Sequence, residues 1–265
     1  MTRNMNRRTF LKTVGALLAI PLIGQACAPL KRVTTTARSA GSVPVLLYHD
    51  ISDHYSDEYT VNAAQFAAQM EWLYSNGYQP VSLRELNGQK LAERTVVIIF
   101  DDGYASFMNF AFPLFKHYGF KATINIVGDY VGSYFPLTDN RPMLSWDEYR
   151  YLTASSIADL GCHTYGLHIF HHHGVVGVSK ETFREDLNRF QRSMEQEIGK
   201  PSEIIAWPYG FYNDSVMSVA AQAGIKYMLT SKQGFLDPMG PLNEIPRNNI
   251  GGDTDFRTFK SLIRA

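Results

Sequence analysis

Five short segments of the sequence carry the side chains best suited to metal or hydrolytic chemistry. In parallel α/β folds, side chains just past the C-terminal ends of strands meet at one end of the sheet, and each segment is expected at such a position. The segments are Tyr48-His49-Asp50, Phe100-Asp101-Asp102-Gly103, His163-Thr164-Tyr165-Gly166-Leu167-His168, Trp207-Pro208-Tyr209-Gly210 and Pro246-Arg247. We therefore expect all five to build one site.

A pair of aspartates and two histidines in these segments predict a divalent-metal site. Asp101 and Asp102 are adjacent carboxylates at the end of an apolar strand. They repel each other, and burial raises the pKa of both unless a cation lies beside them. Asp-Asp-Gly alone is more often a turn with a helix cap. Together with His163 and His168, however, the pair supplies one Asp and two His, a usual ligand set for zinc or a similar ion.

These motifs resemble those of the polysaccharide deacetylases with the NodB homology domain. The family's Thr-Phe-Asp-Asp-Gly is matched by Ile99-Phe100-Asp101-Asp102-Gly103, and its His-Ser/Thr followed by a second His is matched by His163-Thr164 and His168. Its aromatic third motif is matched by Trp207-Pro208-Tyr209-Gly210, and the resemblance covers about residues 43–250. The sequence is most similar to the branch that deacetylates poly-β-1,6-N-acetylglucosamine in biofilm matrices, which shares the early Tyr-His-Asp.

The resemblance implies a fold, an activity and a role for each site residue. The implied fold is α/β, a distorted (β/α)7 barrel of the NodB homology type in a single domain. The implied activity is metal-dependent removal of acetyl groups from the N-acetylglucosamine residues of a polysaccharide. Zn²⁺ is the first candidate for the metal, with Co²⁺ and Ni²⁺ as alternatives. The implied roles are Asp101 as general base, His49 as general acid, and Asp102, His163 and His168 as metal ligands.

Other residues of the five segments are expected to contact the substrate. The backbone N–H of Tyr209 would hold the tetrahedral oxyanion. Trp207, Tyr209 and Tyr165 could stack on sugar faces, as aromatic walls do around apolar pockets. For Trp146, at the start of a predicted helix, packing in the core is the better interpretation.

The sequence also departs from the family pattern in two places. The third motif commonly opens with an Arg that orients the catalytic Asp, and the matching position here is Ala206. The late Leu-x-His that carries the acid in most members is absent after residue 240, and His49 fills the place of that histidine. Arg247 is a candidate to replace the missing Arg, and it is also expected among the residues that bind the substrate.

Several alternatives remain open at this point. One of His171, His172 and His173 could replace His168 as a ligand. The substrate could be peptidoglycan or a chitin oligomer, since specificity depends on loops such as 129–143. A catalytically inactive, tethered polysaccharide-binding protein would account for Ala206 and the missing late motif. A glycosidase is disfavoured, because its two carboxylates must flank a bond at about 5–10 Å and adjacent strand-end aspartates point apart.

Apolar runs and amphipathic stretches alternate from residue 43 onward, which predicts a parallel sheet, open or closed into a barrel. Residues with helical spacing lie at 66–74 and 107–115, ended by Asn76-Gly77 and by Gly119. Cys162 would point away from the site and be buried and inert. The predicted strands are 43–48, 96–100, 121–127, 159–164, 204–208 and 226–230, and the further helices are 145–155, 180–198 and 214–223.

The N-terminal region has the features of an export signal. Arg7-Arg8 precedes the apolar stretch 14–23, a pattern that resembles a twin-arginine signal and is too short to span a bilayer comfortably. Cys27 resembles a lipoprotein processing site, and ordinary signal cleavage nearby is the open alternative to its lipidation. We therefore predict an export signal at 1–27 with a lipidation site at Cys27, a flexible tether at 28–42, and the deacetylase domain at 43–265.

Charge and cysteine content exclude several classes of protein. The chain has 25 basic and 25 acidic residues, and residues 1–26 hold four basic and no acidic ones, so the rest carries 21 − 25 = −4. That charge makes nucleic acid an unsuitable partner. The chain has 2 cysteines, so a processed Cys27 leaves Cys162 with no partner for an intramolecular disulfide. We expect an exported, periplasmic or envelope protein that meets membrane only through a lipid anchor and whose partner is an N-acetylated polysaccharide.

Overall fold

The structure is a computed structural model that describes residues 41–86, 91–136, 139–169 and 173–264. The predicted export signal, Cys27 and nearly all of the predicted tether lie outside the described residues. Strands and helices alternate along the chain, as the sequence pattern predicts. The helices are α1 (Ala63–Ser75), α2 (Phe112–Tyr118), α3 (Trp146–Ala154), α4 (Lys180–Ile198), α5 (Asp214–Gln222) and α6 (Phe256–Arg264).

Nine of the strands in the described residues form one curled sheet with the order β11-β10-β9-β6-β5-β1-β12 along its path. β4 pairs with β5, and β13 pairs with β1. All pairings in this sheet are parallel except that of β12 with β1. The strands are β1 (Val43–Tyr48), β2 (Asp50–Ile51), β3 (Thr60–Val61), β4 (Gln79–Val81), β5 (Thr95–Phe100), β6 (Ala122–Ile126), β7 (Tyr134–Phe135), β8 (Arg141–Pro142), β9 (Ala158–Cys162), β10 (Ile204–Ala206), β11 (Tyr227–Leu229), β12 (Phe235–Leu236) and β13 (Asn248–Asn249).

A short segment, residues 245–249, joins the two ends of the curled sheet. At its start, Ile245 bridges Leu229 of β11 in parallel. At its end, Asn248 and Asn249 pair with β1. The sheet is therefore a distorted barrel, which confirms the fold expected from the motifs. Because Arg247 lies inside this closing segment, barrel closure alone brings it close to residues that are far away in sequence.

Alternate residues of each strand face the two sides of the sheet. Val45 and Leu47 of β1 pack inside the barrel with Val97 and Ile99 of β5. Leu46 and Tyr48 point outward and belong to the larger core beneath the helices. The buried stripe of α4 packs in the same outer core, and it consists of Phe183, Leu187, Phe190, Gln191 and Met194.

Three details differ from the sequence expectations. Strands β9 and β10 end at Cys162 and Ala206, earlier than predicted, so His163 and Trp207 begin the loops that follow. Residues Phe107–Ala111 form a wide π-helical turn before α2. Helix α6 is the third difference, since sequence periodicity did not predict it.

Cys162 is fully buried, as expected. Among the described residues, no helix is both long enough and apolar enough to cross a membrane.

Candidate active site

The segments singled out in the sequence converge at the C-terminal end of the barrel, on a cavity of about 460 Å³. This is the end at which parallel α/β barrels carry their sites, because the loops after each strand meet there. The predicted site residues that line the cavity are His49, Asp101, Asp102, His163, His168, Trp207, Tyr209 and Arg247.

Asp102, His163 and His168 form a buried cluster with one ligand atom from each residue within 4.8 Å of the others. Asp102 Oδ1 lies 3.5 Å from His163 Nε2 and 3.4 Å from His168 Nε2. Burial opposes ionisation of Asp102, but the imidazoles of His168, His49 and His163 outweigh it and hold the pKa of Asp102 below its usual range. The cluster thus presents a carboxylate between two imidazole nitrogens.

The outer ring nitrogens of both histidines are held by neighbouring groups. His163 Nδ1 lies 2.8 Å from the Ala206 carbonyl, which can only accept, so Nδ1 carries the hydrogen and the Nε2 lone pair faces Asp102. Burial lowers the pKa of His163 to about 4, which leaves the ring neutral at pH 7. His168 Nδ1 lies 2.9 Å from the Tyr209 hydroxyl. Partners of this kind fix the tautomer and orientation of metal-ligating histidines.

The cluster fits a divalent ion by two independent criteria. Metal–ligand bonds of about 2.0–2.1 Å in a tetrahedral site place the ligand atoms about 3.4 Å apart, close to the two distances measured from Asp102 Oδ1. Asp102 Oδ1 is also buried with no hydrogen-bond partner among the described residues, a costly arrangement that a cation would relieve. One oxygen and two nitrogens suit Zn²⁺ and neighbouring transition metals.

Asp101 is fixed by a buried arginine and a buried amide. Arg247 Nη1 lies 2.8 Å from Oδ1 and 2.8 Å from Oδ2 of Asp101, and Arg247 Nε donates to the Thr230 carbonyl at 2.8 Å. Asn125 Nδ2 donates to Asp101 Oδ1 at 2.7 Å. Burial disfavours the charged form, but Arg247 and His163 outweigh it and hold the pKa of Asp101 below its usual value. Arg247 is therefore an orienting partner of Asp101, the place for which the sequence made it a candidate, and its side chain is engaged with the protein rather than directed at a substrate.

Asn125 is a site residue that sequence analysis missed, because a single Asn inside an apolar strand carries no motif. It lies on β6 directly opposite Gly161 of β9. A Cβ at position 161 would lie 2.0 Å from Asn125 Oδ1, so only glycine leaves room for this amide. Gly161 and Asn125 thus act together to bring a donor to Asp101.

His49 lies on the side of the cavity formed by the segment after β1. Its ring packs edge-on against Tyr59 with centroids 4.9 Å apart. Its buried Nδ1 has no hydrogen-bond partner among the described residues. His49 is close enough to contribute to the low pKa of both Asp101 and Asp102. Its placement is compatible with proton transfer to a bound molecule.

The aromatic residues expected to stack on sugar differ in their positions. Tyr209 lines the cavity and is 37% exposed, so its ring is accessible. Trp207 is fully buried, stacked against Tyr212 and tilted against Phe183, so its ring offers no face to a sugar and this structure does not support stacking there. Trp146 packs partly buried against the core, as expected.

Tyr165 does not line the cavity, so stacking on a sugar there is not supported. Its ring lies under the guanidinium of Arg189, with the Cζ atom 3.9 Å from the centroid. The backbone N–H groups of Tyr165 and Gly166 each donate to Asp186 at 2.7 Å. Asp186 on α4 therefore shapes the loop between His163 and His168.

Three residues of the site have left-handed backbone conformations. Asp102, Thr164 and Tyr209 have φ values of 70°, 70° and 56°. Such values are uncommon for residues with side chains and persist where the surrounding structure enforces them, often at functional sites. Asp102 belongs to the Asp102–His163–His168 cluster, Thr164 directly follows His163, and the Tyr209 hydroxyl contacts His168.

The sequence offered three alternative histidine ligands. Of these, His171 and His172 lie outside the described residues, and the ring of His173 packs beside Phe211.

Comparisons with known proteins agree with this geometry. The sequence profile of the polysaccharide deacetylases matches residues 88–228. The chain is 27% identical over 199 residues to the Bacillus subtilis protein YxkH, named as a polysaccharide deacetylase, covering 72% of this chain and 65% of that protein. It is 28% identical over 234 residues to the poly-β-1,6-N-acetyl-D-glucosamine N-deacetylase of Staphylococcus aureus, covering 86% of this chain and 79% of that enzyme.

Two solved structures are similar over most of the described chain. IcaB from Ammonifex degensii superposes with a TM-score of 0.76 at 24% identity, covering 87% of this chain and 100% of that chain. A de-N-acetylase from Aggregatibacter actinomycetemcomitans superposes with a TM-score of 0.72 at 26% identity, covering 84% and 100%. Since the profile spans more than half of the sequence and includes Asp101, Asp102, His163 and His168, the chain belongs to the polysaccharide deacetylase family, hydrolases that act on acetylated sugars.

Proposed function

We propose that this protein removes acetyl groups from the N-acetylglucosamine residues of poly-β-1,6-N-acetylglucosamine in a metal-dependent reaction. The observation that carries the proposal is the cavity in which the Asp102–His163–His168 cluster lies beside the Arg247-held carboxylate of Asp101. The choice of polymer is supported by the named activity of the Staphylococcus aureus relative. Arg247 supplies Asp101 with the cation that Ala206 cannot, which removes the main reason to consider an inactive binding protein.

Hydrolysis of an amide needs an activated water and an activated carbonyl. Asp102, His163 and His168 would hold the ion, Zn²⁺ first among the candidates. The chemistry that a divalent ion supplies at such a site is a water of near-neutral pKa and a polarised carbonyl. The chain itself supplies the ligands, their fixed tautomers and the exclusion of bulk water.

Asp101 is the proposed general base. Its Oδ1 already accepts hydrogen bonds from both Asn125 and Arg247, whereas within the described part of the chain Oδ2 accepts only from Arg247 and lies 3.9 Å from His163 Nε2. Oδ2 therefore keeps the free acceptor capacity and faces the cluster. We assign the removal of the proton from the attacking water to this oxygen.

The leaving amine must receive a proton before it departs. His49 is the proposed donor, because it lies in the same cavity and has a ring nitrogen without a protein partner among the described residues. The backbone N–H of Tyr209 is the proposed donor to the oxyanion, and the accessible Tyr209 ring is the proposed contact for the sugar.

Acetate release tests the proposal directly. Purified protein would be assayed on β-1,6-linked N-acetylglucosamine oligomers, with β-1,4-linked oligomers in parallel. Each assay would be run after treatment with chelator and again after addition of Zn²⁺, Co²⁺ or Ni²⁺. We expect release that chelator abolishes and metal restores. Release confined to β-1,4-linked oligomers would transfer the activity to chitin or peptidoglycan, and no release with any of the three metals would contradict the proposal.

We also propose that the protein is exported and lipid-anchored at Cys27. The support is the sequence pattern of residues 1–27 together with the polysaccharide substrates of the family. Incorporation of radiolabelled palmitate into the wild-type chain but not into Cys27→Ser would be the expected result. Equal labelling of both chains, or of neither, would contradict lipidation.

A further inference from the structure

One wall of the cavity is formed by the segment that follows His49. Residues 50–61, which we call the 50–61 segment, begin with β2 and end with β3, and these two strands pair in parallel. Asp57, Glu58 and Tyr59 of this segment line the cavity. Tyr59 is 47% exposed, so its ring is available to a ligand.

A single buried arginine from another part of the chain holds this segment at both ends. Arg141 of β8 is 4% exposed. Its Nη1 lies 3.0 Å from Asp50 Oδ2 and 2.7 Å from Thr60 Oγ1, and its Nη2 donates to Asp57. The three acceptors lie at the beginning, near the tip and at the end of the segment, so one guanidinium fixes its shape.

Further contacts make the interaction specific for arginine. The guanidinium lies over the Tyr55 ring, with the Cζ atom 4.2 Å from the centroid. Asp57 Oδ1 also accepts from the Tyr59 backbone at 2.9 Å and from Thr60 Oγ1 at 2.8 Å. A planar fork that stacks on an aromatic ring while donating to several acceptors cannot be reproduced by lysine.

The segment is also held by close backbone packing at Glu58. A Cβ at Gly251 would lie 1.8 Å from the Glu58 carbonyl oxygen, so the chain after β13 presses directly on the 50–61 segment. Arg141 and the chain at Gly251 therefore both hold the segment, and we call the contacts of Arg141 with Asp50, Asp57 and Thr60 the clamp. His49 directly precedes the segment and packs on Tyr59.

We propose that Arg141 is a positioning residue that holds the 50–61 segment as the saccharide-binding wall of the cavity. The inference rests on the proposed function, since it assigns the sugar chain to the exposed Tyr59 ring and the carboxylate of Glu58, while both oxygens of Asp57 are occupied by contacts within the segment and with Arg141. Aromatic faces stack on sugar rings, and carboxylates accept hydrogen bonds from sugar hydroxyls. Loss of the clamp should weaken binding of an oligosaccharide more than it slows hydrolysis of a small acetyl ester.

The test compares Arg141→Met and Arg141→Lys with wild type in the full chain. For each protein, kcat/KM is measured on a β-1,6-linked N-acetylglucosamine pentamer and on a small fluorogenic acetyl ester. We expect the ratio of the two values to fall about tenfold for Arg141→Met through a higher KM for the pentamer, with little rescue by lysine. Arg184→Met, which removes a partly exposed arginine paired with Glu181 on α4, is the matched control.

Two further measurements test the role of Arg141 without relying on enzymatic turnover. Calorimetry gives the affinity for the pentamer, and hydrogen exchange reports the backbone of residues 50–61. We expect weaker binding and faster exchange confined to that segment. If wild type hydrolyses neither compound, the proposed function fails, while calorimetry and exchange still decide the role of Arg141.

A second variant is needed in case Arg141→Met does not fold, because that substitution leaves the buried Asp50 without its cation. Asp57→Asn weakens the same clamp at its partly exposed end and should shift the ratio in the same direction. A pentamer-to-ester ratio, pentamer affinity and exchange pattern equal to those of Arg184→Met in both clamp variants would overturn the inference.

Discussion

Arg247 Nη1 lies 2.8 Å from both carboxylate oxygens of Asp101, although the two residues are 146 positions apart in the chain. Both are almost completely buried. The pair can form only because residues 245–249 close the barrel between β11 and β1. Closure of the barrel therefore brings to Asp101, the proposed base, the cation that favours its ionised form.

Replacing Arg247 should affect both stability and turnover. In Arg247→Met the carboxylate of Asp101 stays buried without its cation, which costs about 3–5 kcal/mol of unfolding free energy. We expect a lower denaturation midpoint, at least about tenfold lower kcat, and unchanged metal content in the fraction that remains folded. Urea denaturation, acetate release and metal analysis measure the three effects. Turnover equal to wild type in the folded fraction would show that Asp101 needs no such partner.

Asp101→Asn tests the proposed base without changing its size. The amide cannot accept the proton, whereas the Asp102–His163–His168 cluster is untouched. We expect metal content equal to wild type and turnover reduced by roughly 10²–10⁴. Acetate release and metal analysis on the same preparation provide both values. Turnover within a few-fold of wild type would remove Asp101 from this role.

Gly161→Ala and Asn125→Ala should have similar effects, because the added methyl group displaces the Asn125 amide from Asp101. Each removes one hydrogen bond to a charged group, worth about 1.5–3 kcal/mol, so we expect kcat to fall about 10- to 100-fold. The double variant should be little worse than either single one, since both act on the same contact. Additive losses of activity would indicate separate roles.

Removing both histidines should abolish metal retention. In His163→Ala/His168→Ala only the carboxylate of Asp102 remains of the three ligands. We expect metal content after dialysis to fall to the background of a chelator-treated sample. Unchanged stoichiometry would exclude the two histidines from the ligand set and would direct attention to His171–His173.

The clamp at Arg141 should be visible in acid stability. Burial raises the pKa of Asp57, but hydrogen bonds from Arg141 and Thr60 outweigh it and leave the pKa below its usual value. A lowered pKa stabilises the fold above the unfolded value of about 3.9, and this contribution is lost as pH falls through the folded value. We expect the difference in denaturation midpoint between wild type and Arg141→Met to shrink below about pH 4. A difference that is constant from pH 7 to pH 3 would contradict this.

The sequence pattern determined a parallel sheet and the end at which its site lies, and the resemblance of the motifs implied the barrel. Alternating apolar runs and amphipathic helices require a parallel sheet, and such a sheet brings the residues after its strands to one end. That was enough to place Asp101, Asp102, His163 and His168 together. Asp101, Asp102 and His163 follow strands β5 and β9 at once, and His168 lies five residues further in the loop after β9, so local pattern and topology suffice to predict their neighbourhood.

The tertiary structure decided which side chains support that site. Arg247, Asn125 and Arg141 reach their partners through strand register and barrel closure, which short-range patterns do not encode. Likewise, Trp207 and Tyr165 follow strands as Tyr209 does, but packing against α4 and its neighbours buries one and turns the other onto Arg189. Whether an aromatic side chain faces a cavity or a core depends on contacts between distant parts of the chain, and those contacts form only when the barrel closes.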